Sequence, residues 1–226
     1  SVLGTFVKDH TRIMVDEPRP GVVSPALFVN LYPFSTKAFS LRAFAKKSFR
    51  MPTFNELYYT EIGNALLKPE TTMQYNVGMV WDKTYPTSLI RAFRLQIDGY
   101  FNSVSDKIVA YPKGQQFRWT MLNLGKVHIK GIDLQAETTM QPSPELSFTG
   151  RLQYTYQQAR DVTNPSDSYY KHQIPYIPWH SGSAIVGANY KQWQLNYSFI
   201  YAGKRYNQQE NIVYNYMPAW YTSDLS

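Results

Sequence analysis

The sequence predicts an all-β fold, an antiparallel β-barrel whose strands cross a membrane. Three observations predict it. Segments of about ten residues alternate apolar with polar side chains, the period of a strand with two unlike faces. Turn signals separate these segments. The connections alternate short and long along the chain. Residues 71–81 show the pattern most clearly. Met73, Tyr75, Val77, Met79 and Trp81 fall on one face, and Thr72, Gln74, Asn76 and Gly78 on the other. A transmembrane barrel strand needs this length and this alternation.

Taken in order, residues 5–9 read as a strand and residues 10–20, with Asp16, Glu17, Pro18 and Pro20, as a loop. Residues 24–32 form a strand with Ala26 and Phe28 on one face and Leu27, Val29 and Leu31 on the other. A short turn at 33–37 leads to a strand at 39–47, where Phe44 sits among the polar positions. Residues 50–69 are irregular, with Pro52, Gly63 and Pro69. After the 71–81 strand come a turn at 82–87 and a strand carrying Phe93, Leu95, Ile97 and Phe101, then a loop at 112–118. In the next strand Val127 and Ile129 share one parity, but Ile132, Leu134 and Ala136 share the other. Gly131 stands at the switch, and a β-bulge there would bring the apolar face back to one side. A turn at 141–145 precedes a strand from Leu146 to about Gln158, and a long polar loop runs over 160–173. Ala184, Val186, Ala188 and Tyr190 mark a strand, and Lys191 and Gln192 a tight turn. The strand with Trp193, Leu195, Tyr197, Phe199 and Tyr201 follows, then a loop at 206–218 and a last strand from Ala219. These signals amount to roughly ten strands. Short turns at one rim and long loops at the other are the plan of bacterial outer-membrane barrels.

Composition agrees with that plan and excludes others. Aromatic residues are 16% of the 226 residues, with 19 Tyr and 12 Phe, as girdles at two membrane interfaces would require. A mean hydropathy of −0.41 and the lack of an 18-residue apolar run exclude a helical span but not a barrel, whose polar lumen face lowers the average. Cysteine is absent, which excludes a disulfide scaffold and a thiolate metal site. The net charge of +7 raises nucleic acid as a partner, but the cations are scattered, densest at Lys46, Lys47 and Arg50, and no recognition motif accompanies them. Nucleic acid is therefore not expected. The start of the chain lacks a secretory signal, so an envelope protein would be a processed or partial form.

Residues 48–59 read Ser-Phe-Arg-Met-Pro-Thr-Phe-Asn-Glu-Leu-Tyr-Tyr, followed by Gly63-Asn64 and Leu67-Lys68-Pro69-Glu70. Further on stand Asn123-Leu124-Gly125, the run from Lys130-Gly131 to Ala136-Glu137, and Ile177-Pro178-Trp179-His180. This combination resembles the TonB-dependent outer-membrane receptors. The motif residues of the resemblance are Phe49, Arg50, Pro52, Asn55, Glu56, Leu57, Lys68, Pro69, Glu70 and Gly131, while Asp133 replaces a more usual glutamate. The resemblance implies a 22-stranded barrel closed by an N-terminal plug, with residues 1–226 forming about ten strands of its C-terminal portion. The plug and a final strand ending in an aromatic residue are then expected to lie outside this chain. Implied partners are outer-membrane lipid, a TonB complex acting through the plug, and a large small-molecule ligand. The complete barrel is expected to be a monomer in the bacterial outer membrane, and no cofactor is implied.

Within the motif, Arg50 and Glu56 are expected to satisfy buried polar groups in a folded rim, rather than to contact a ligand. Ligand contacts are expected instead from Tyr111, Arg118, Trp119, Tyr169, Tyr170, His172 and Arg205, in or beside the long loops. Aromatic faces with a few cations suit a large, partly apolar, often anionic ligand, although the same residue types also build interfacial girdles. His10, His128, His172 and His180 lack the spacing of a local metal site. Asp161, Asn164 and Asp167 are three apart, not the alternate spacing of a calcium loop, and read as a solvated loop. No metal site is expected. No nucleophile elbow, phosphate loop or zinc-protease motif occurs, so no enzyme is expected. The resemblance implies energised uptake of a scarce large solute such as a corrinoid, a ferric siderophore or haem. The alternatives are a passive or structural barrel and a soluble glycan-binding β-domain.

Overall fold

The computed structural model describes residues 2–5, 22–113 and 118–226, in backbone alone for 2–5, 22, 111–113 and 118. Of the expected strand at 5–9, Thr5 is in a strand, and residues 6–9 and the expected loop at 10–20 lie outside the described residues. The strands are β1 (Val2–Thr5), β2 (Val22–Leu31), β3 (Phe39–Arg50), β4 (Glu70–Thr84), β5 (Ile90–Lys113) and β6 (Arg118–Ser143). They continue with β7 (Leu146–Asp161), β8 (His180–Tyr190), β9 (Trp193–Ala202), β10 (Arg205–Tyr206), β11 (Tyr216–Met217) and β12 (Trp220–Leu225). One short helix, α1 (Phe54–Tyr58), lies between β3 and β4. No helix among the described residues is long and apolar enough to cross a membrane.

Ten strands form one antiparallel sheet in the order β1-β2-β3-β4-β5-β6-β7-β8-β9-β12, and β10 and β11 form a small separate hairpin. Among the described residues the sheet is open, with β1 and β12 as its edges. Because each strand of the large sheet pairs with the next one along the chain, the β10–β11 hairpin being part of the connection from β9 to β12, the connections segregate. Residues 32–38, 85–89, 144–145 and 191–192 turn at one end, and residues 51–69, 162–179 and 203–219 fold at the other.

Residues opposite one another in the ladder share a face. Leu41, Met79, Ile97, Leu134 and Tyr154 stand in one cross-strand row, and Ala43, Val77, Gly99, Ile132 and Tyr156 in the next. This outer face is apolar and open: Val77 is 67% exposed and Leu152 47%. The inner face carries Arg42, Gly78, Asp98, Asp133 and Thr155 in one row and Asp82, Arg94, Glu137 and Arg151 in another. Phe44, the exception among the polar positions, points inward beside Phe28, 5.6 Å between ring centroids.

The fold corrects several expectations. No bulge occurs at Gly131, since Tyr100, Gly131 and Gln157 pair in unbroken register. Val127 and Ile129 remain on the inner face, because residues of the 162–179 loop cover them: Val127 is buried in a cluster with Val104, Leu124, Ala159 and Ile174. Gly131 has a different reason. A Cβ there would lie 2.3 Å from the Tyr156 carbonyl oxygen and 2.5 Å from the Tyr100 hydroxyl, so only glycine lets Tyr100 lie across β6.

Within the expected loop at 112–118, Pro112, Lys113 and Arg118 belong to the ladder, which pairs out to Lys113 and Arg118, and residues 114–117 lie outside the described residues. The β5–β6 hairpin extends past its neighbours because the 51–69 segment supports it. Ile108 is buried with Leu57 and Leu67, and the Met121 N–H donates to Ile62 at 3.0 Å. The turns expected at 82–87 and 141–145 are shorter, since β4 runs to Thr84 and β6 to Ser143. The polar loop begins after Asp161 and ends before His180, and the 203–219 loop holds the β10–β11 hairpin.

Candidate functional site

The long-loop end of the inner face is where the chain builds a surface rather than a bare wall. Its base is the segment that carries the sequence motif. Thr53 caps α1: its Oγ1 accepts from the Glu56 N–H at 3.3 Å, and Glu56 Oε2 accepts from the Thr53 N–H at 2.7 Å. Arg50 joins this cap to the sheet. Its guanidinium donates to Glu56 at 3.0 Å and to both Glu70 oxygens at 2.9 and 3.1 Å. Glu70 is buried and also accepts from the Ile108 N–H at 2.6 Å and from Lys107 Nζ at 3.2 Å. Burial acts to raise the Glu56 pKa, but the Thr53 N–H and the Arg50 guanidinium outweigh it and hold the carboxyl below the usual carboxylate range. Pro52 and Leu57 are buried beneath this network. Phe49 ends the outer row opposite Thr71, Asn55 supplies the carbonyl that closes α1, and Pro69 leads into β4. The Lys68 backbone is clamped from both sides by the Asn123 side chain, at 2.8 and 3.0 Å. Every polar atom of the Arg50–Glu56–Glu70 group faces the rim itself.

Two loops rise above this base. Gln173 is buried between them: its Oε1 accepts from the Ala159 N–H at 3.0 Å and its Nε2 donates to the Ile177 carbonyl at 3.2 Å. Its backbone exchanges two hydrogen bonds with the Asn211 side chain, at 2.7 and 3.0 Å. Asp161 accepts from Gln209 at 2.7 Å and from the Thr163 N–H at 2.9 Å. Asn164 and Asp167 accept from the Ser166 and Tyr169 N–H groups, so these side chains shape the loop.

The structure sorts the expected ligand residues into two groups. Tyr169 and His172 are in T-shaped contact at 6.2 Å, with Tyr170 beside them under Lys171 Nζ at 5.2 Å. Both reach the neighbouring loop, Tyr169 through its hydroxyl to Glu210 at 3.2 Å and His172 through Nδ1 to the Gln209 carbonyl at 3.2 Å. Trp119 belongs to the second group, 5.4 Å from Tyr176, whose N–H donates to the Tyr206 carbonyl at 2.8 Å. Arg205 precedes Tyr206 and donates to the carbonyls of Gly203 and Pro218. Tyr176 titrates above an ordinary tyrosine because burial raises its pKa more than the Arg205 charge lowers it. Tyr111 and Arg118 stand near the far ends of β5 and β6. Sequence reasoning missed Tyr176, Trp179, Tyr206 and Tyr216, which join the second group through ring contacts of 5.8 Å for Trp179–Tyr206 and 5.6 Å for Tyr206–Tyr216. It also missed Gln173 and Asn211. The run Asn207-Gln208-Gln209-Glu210-Asn211 was the available signal, since a loop of amides with few charges suits internal hydrogen bonding.

Below the rim the inner face is a polar concavity of about 440 Å³, lined in part by Arg42, Asn76, Gln96, Asp98, Asp133 and Thr155. Arg42 and Asp98 meet across β4 in a bidentate pair at 3.0 and 2.5 Å. They meet because Gly78 lies between them in the row and has no side chain to intervene. Toward the short turns Arg94–Asp82 and Arg151–Glu137 pair at 2.9 and 3.0 Å. Among the described residues no group of three or more His, Cys, Asp or Glu side chains is arranged to hold a metal.

The family model described as TonB dependent receptor-like, beta-barrel matches residues 7–226. The chain belongs to this family. Its members are outer-membrane transport receptors, which places the chain in the bacterial outer membrane. Two relatives are named Vitamin B12 transporter BtuB. The one from Vibrio vulnificus is 35% identical over 88 residues, covering 39% of this chain and 13% of the relative. The one from Photobacterium profundum is 28% identical over 165 residues, 72% of this chain and 24% of the relative. The matches thus span at most about a quarter of the relatives' length. Among solved structures, the siderophore receptor PiuA from Acinetobacter baumannii aligns with a TM-score of 0.61 at 15% identity, covering 91% of this chain and 29% of that one. The copper transporter OprC aligns at 0.60 and 15% identity, covering 91% and 31%. At that identity these two establish the fold alone.

Proposed function

We infer that the chain is part of the barrel wall of an energised uptake receptor for a scarce large solute, and that a corrinoid is the first class to test. The observation that carries this reading is the similarity to two vitamin B12 transporters over 72% and 39% of the chain, above the identity of any structural neighbour described here. Residues 1–226 then form a C-terminal portion of the barrel, and a plug domain elsewhere in the full protein transmits the pull of a TonB complex. The outer apolar rows face lipid, and the long-loop rim faces the medium. The two aromatic groups, around Tyr169–His172 and Trp119–Tyr176, offer flat faces and hydrogen-bonding edges to a bulky ring system. Arg205 adds positive charge for an anionic portion. The Arg50–Glu56–Glu70 network holds the rim in shape and makes no ligand contact.

Growth of a deletion strain decides the class. With cobalamin as the limiting nutrient, growth should fail at low supply and return when the full gene is restored. Unimpaired growth on scarce cobalamin, with failure on a ferric siderophore or haem, would move the assignment to iron. A Trp119→Ala, Tyr170→Ala receptor should retain its folded mobility on gels while binding cobalamin about tenfold or more weakly, as expected for loss of aromatic contacts.

A further inference from the structure

We propose that the outer face of β6 and β7, at the boundary below the long loops, is a binding site for the phosphate of an outer-leaflet lipid headgroup. On β6 the outward positions alternate with the inward ones, and Lys126, His128 and Lys130 are three successive outward side chains. His128 stands directly opposite Arg160 of β7 in the ladder. Cross-strand partners have Cβ atoms about 5 Å apart, and second neighbours along a strand are about 7 Å apart, so the four groups form one patch.

The patch carries three cations, Lys126, Lys130 and Arg160, grouped around the His128 imidazole. Among the described residues none of the four side chains is in an ion pair, whereas Arg42, Arg94 and Arg151 on the inner face are all paired. Three cations held at diagonal and second-neighbour positions on a rigid ladder repel one another, and a bound anion reverses the sign of that interaction. Arginine and lysine together suit a phosphate, the first by its planar fork and the second as a point charge. Aromatic rings flank the cations: Phe101 meets the His128 ring at 5.2 Å, and Tyr156 stands beside Gln158, which donates to its hydroxyl at 2.5 Å.

The depth of the patch says what kind of molecule carries the phosphate. Outward positions of β6 are Ile132, Leu134, Ala136, Thr138 and Met140, ending at the short turn. From 132 to 140 is about the nine residues that one tilted strand needs to cross the hydrocarbon. The β7 positions Phe148 to Tyr156 cover the same span. The cations therefore begin where the apolar band stops, at headgroup level, and acyl chains attached to the same phosphate lie along Ile132 and Leu134. Free phosphate uses only the upper half of this surface. The side of the membrane follows from the loop asymmetry, which puts the long loops outside.

The test uses the full receptor that carries this sequence, purified in a zwitterionic detergent, with retained lipid read by native mass spectrometry. The probe is bisphosphorylated lipid A. The wild type should retain it. The triple variant Lys126→Gln, Lys130→Gln, Arg160→Gln should retain it about a hundredfold less, and high salt should weaken the wild-type complex. Lys83→Gln, which removes an outward lysine on β4 near the short turns, should behave as wild type. If the triple variant lacks heat-modifiable mobility, Lys130→Gln alone should still lower retention about fivefold. Equal retention by variant and wild type, or equal retention of dephosphorylated lipid A, overturns the proposal. So does inorganic phosphate binding as tightly as the lipid.

Discussion

Asn76 and Val77 are adjacent in β4, yet they belong to different environments. Val77 points outward into a row of Ala43, Gly99 and Ile132 and is 67% exposed. Asn76 points inward over the polar concavity beside Arg42 and Asp98. A water-soluble sheet buries its apolar face and exposes its polar one. Here the apolar face is bare, and the polar face carries the ion pairs and the folded loops. The difference is explained if the solvent on the outer side is hydrocarbon, where bare apolar side chains cost nothing and unpaired polar groups cost several kcal/mol.

The sharpest way to break this comparison is to exchange the faces' chemistry in the full receptor. Val77→Arg should destabilise the barrel in lipid by about 2–4 kcal/mol, and Asn76→Arg by well under about 1 kcal/mol, read from denaturant midpoints. Equal costs at the two positions would mean that both faces see one medium. Next in size is Glu70→Ala at the rim. It strands the buried Ile108 N–H and should cost about 1–3 kcal/mol, with faster proteolysis of the 51–69 segment as a second readout. Ligand affinity lost without any change in stability would instead make Glu70 a binding residue.

Gly78→Ala should have a smaller effect. The new Cβ would lie 2.1 Å from Asp98 Oδ1, so the carboxylate must shift and its pair with Arg42 loosens, at about 1 kcal/mol. Double-mutant coupling between Arg42 and Asp98 should shrink in the Gly78→Ala background, and unchanged coupling would show that the pair does not depend on the glycine. The smallest effect concerns pH. The folded pKa of Glu56 lies below its unfolded value of about 4.3, so its contribution is present above that value and fades as pH falls through the folded pKa. Hydrogen exchange at the α1 amides should accelerate in that acid window in the wild type and not in Glu56→Gln.

Much of the wall was legible because one physical rule governs it. In β4 the alternation from Met73 to Trp81 has Val80 as its one apolar inward position, and the ladder places Met73, Tyr75, Val77, Met79 and Trp81 on one face. Legibility failed where the inner face stops being polar. Val104, Val127 and Ile129 point inward because a loop distant in sequence folds over them, and no local pattern encodes that contact. The same holds for the β5–β6 hairpin, whose extension depends on Leu57 and Leu67 from another segment. At the candidate site the sequence expected Arg50 and Glu56 to satisfy buried polar groups, and the geometry joins both to Glu70, which the motif also contains. The aromatic groups were less legible. Trp119 and Tyr176 meet only because β6 and a distant loop converge, and Tyr176 adopts a positive φ of 63° that its sequence does not announce.

The measurement that tests the two-faced wall most directly is a spin-label scan of residues 72–81 in the full receptor in lipid bilayers. Labels at Met73, Tyr75, Val77, Met79 and Trp81 should collide freely with dissolved oxygen and poorly with a water-soluble nickel chelate. Labels at Gln74, Asn76, Gly78 and Val80 should show low oxygen accessibility, so the signal oscillates with a period of two. A scan with no two-residue period, or with the phase reversed, would contradict the account.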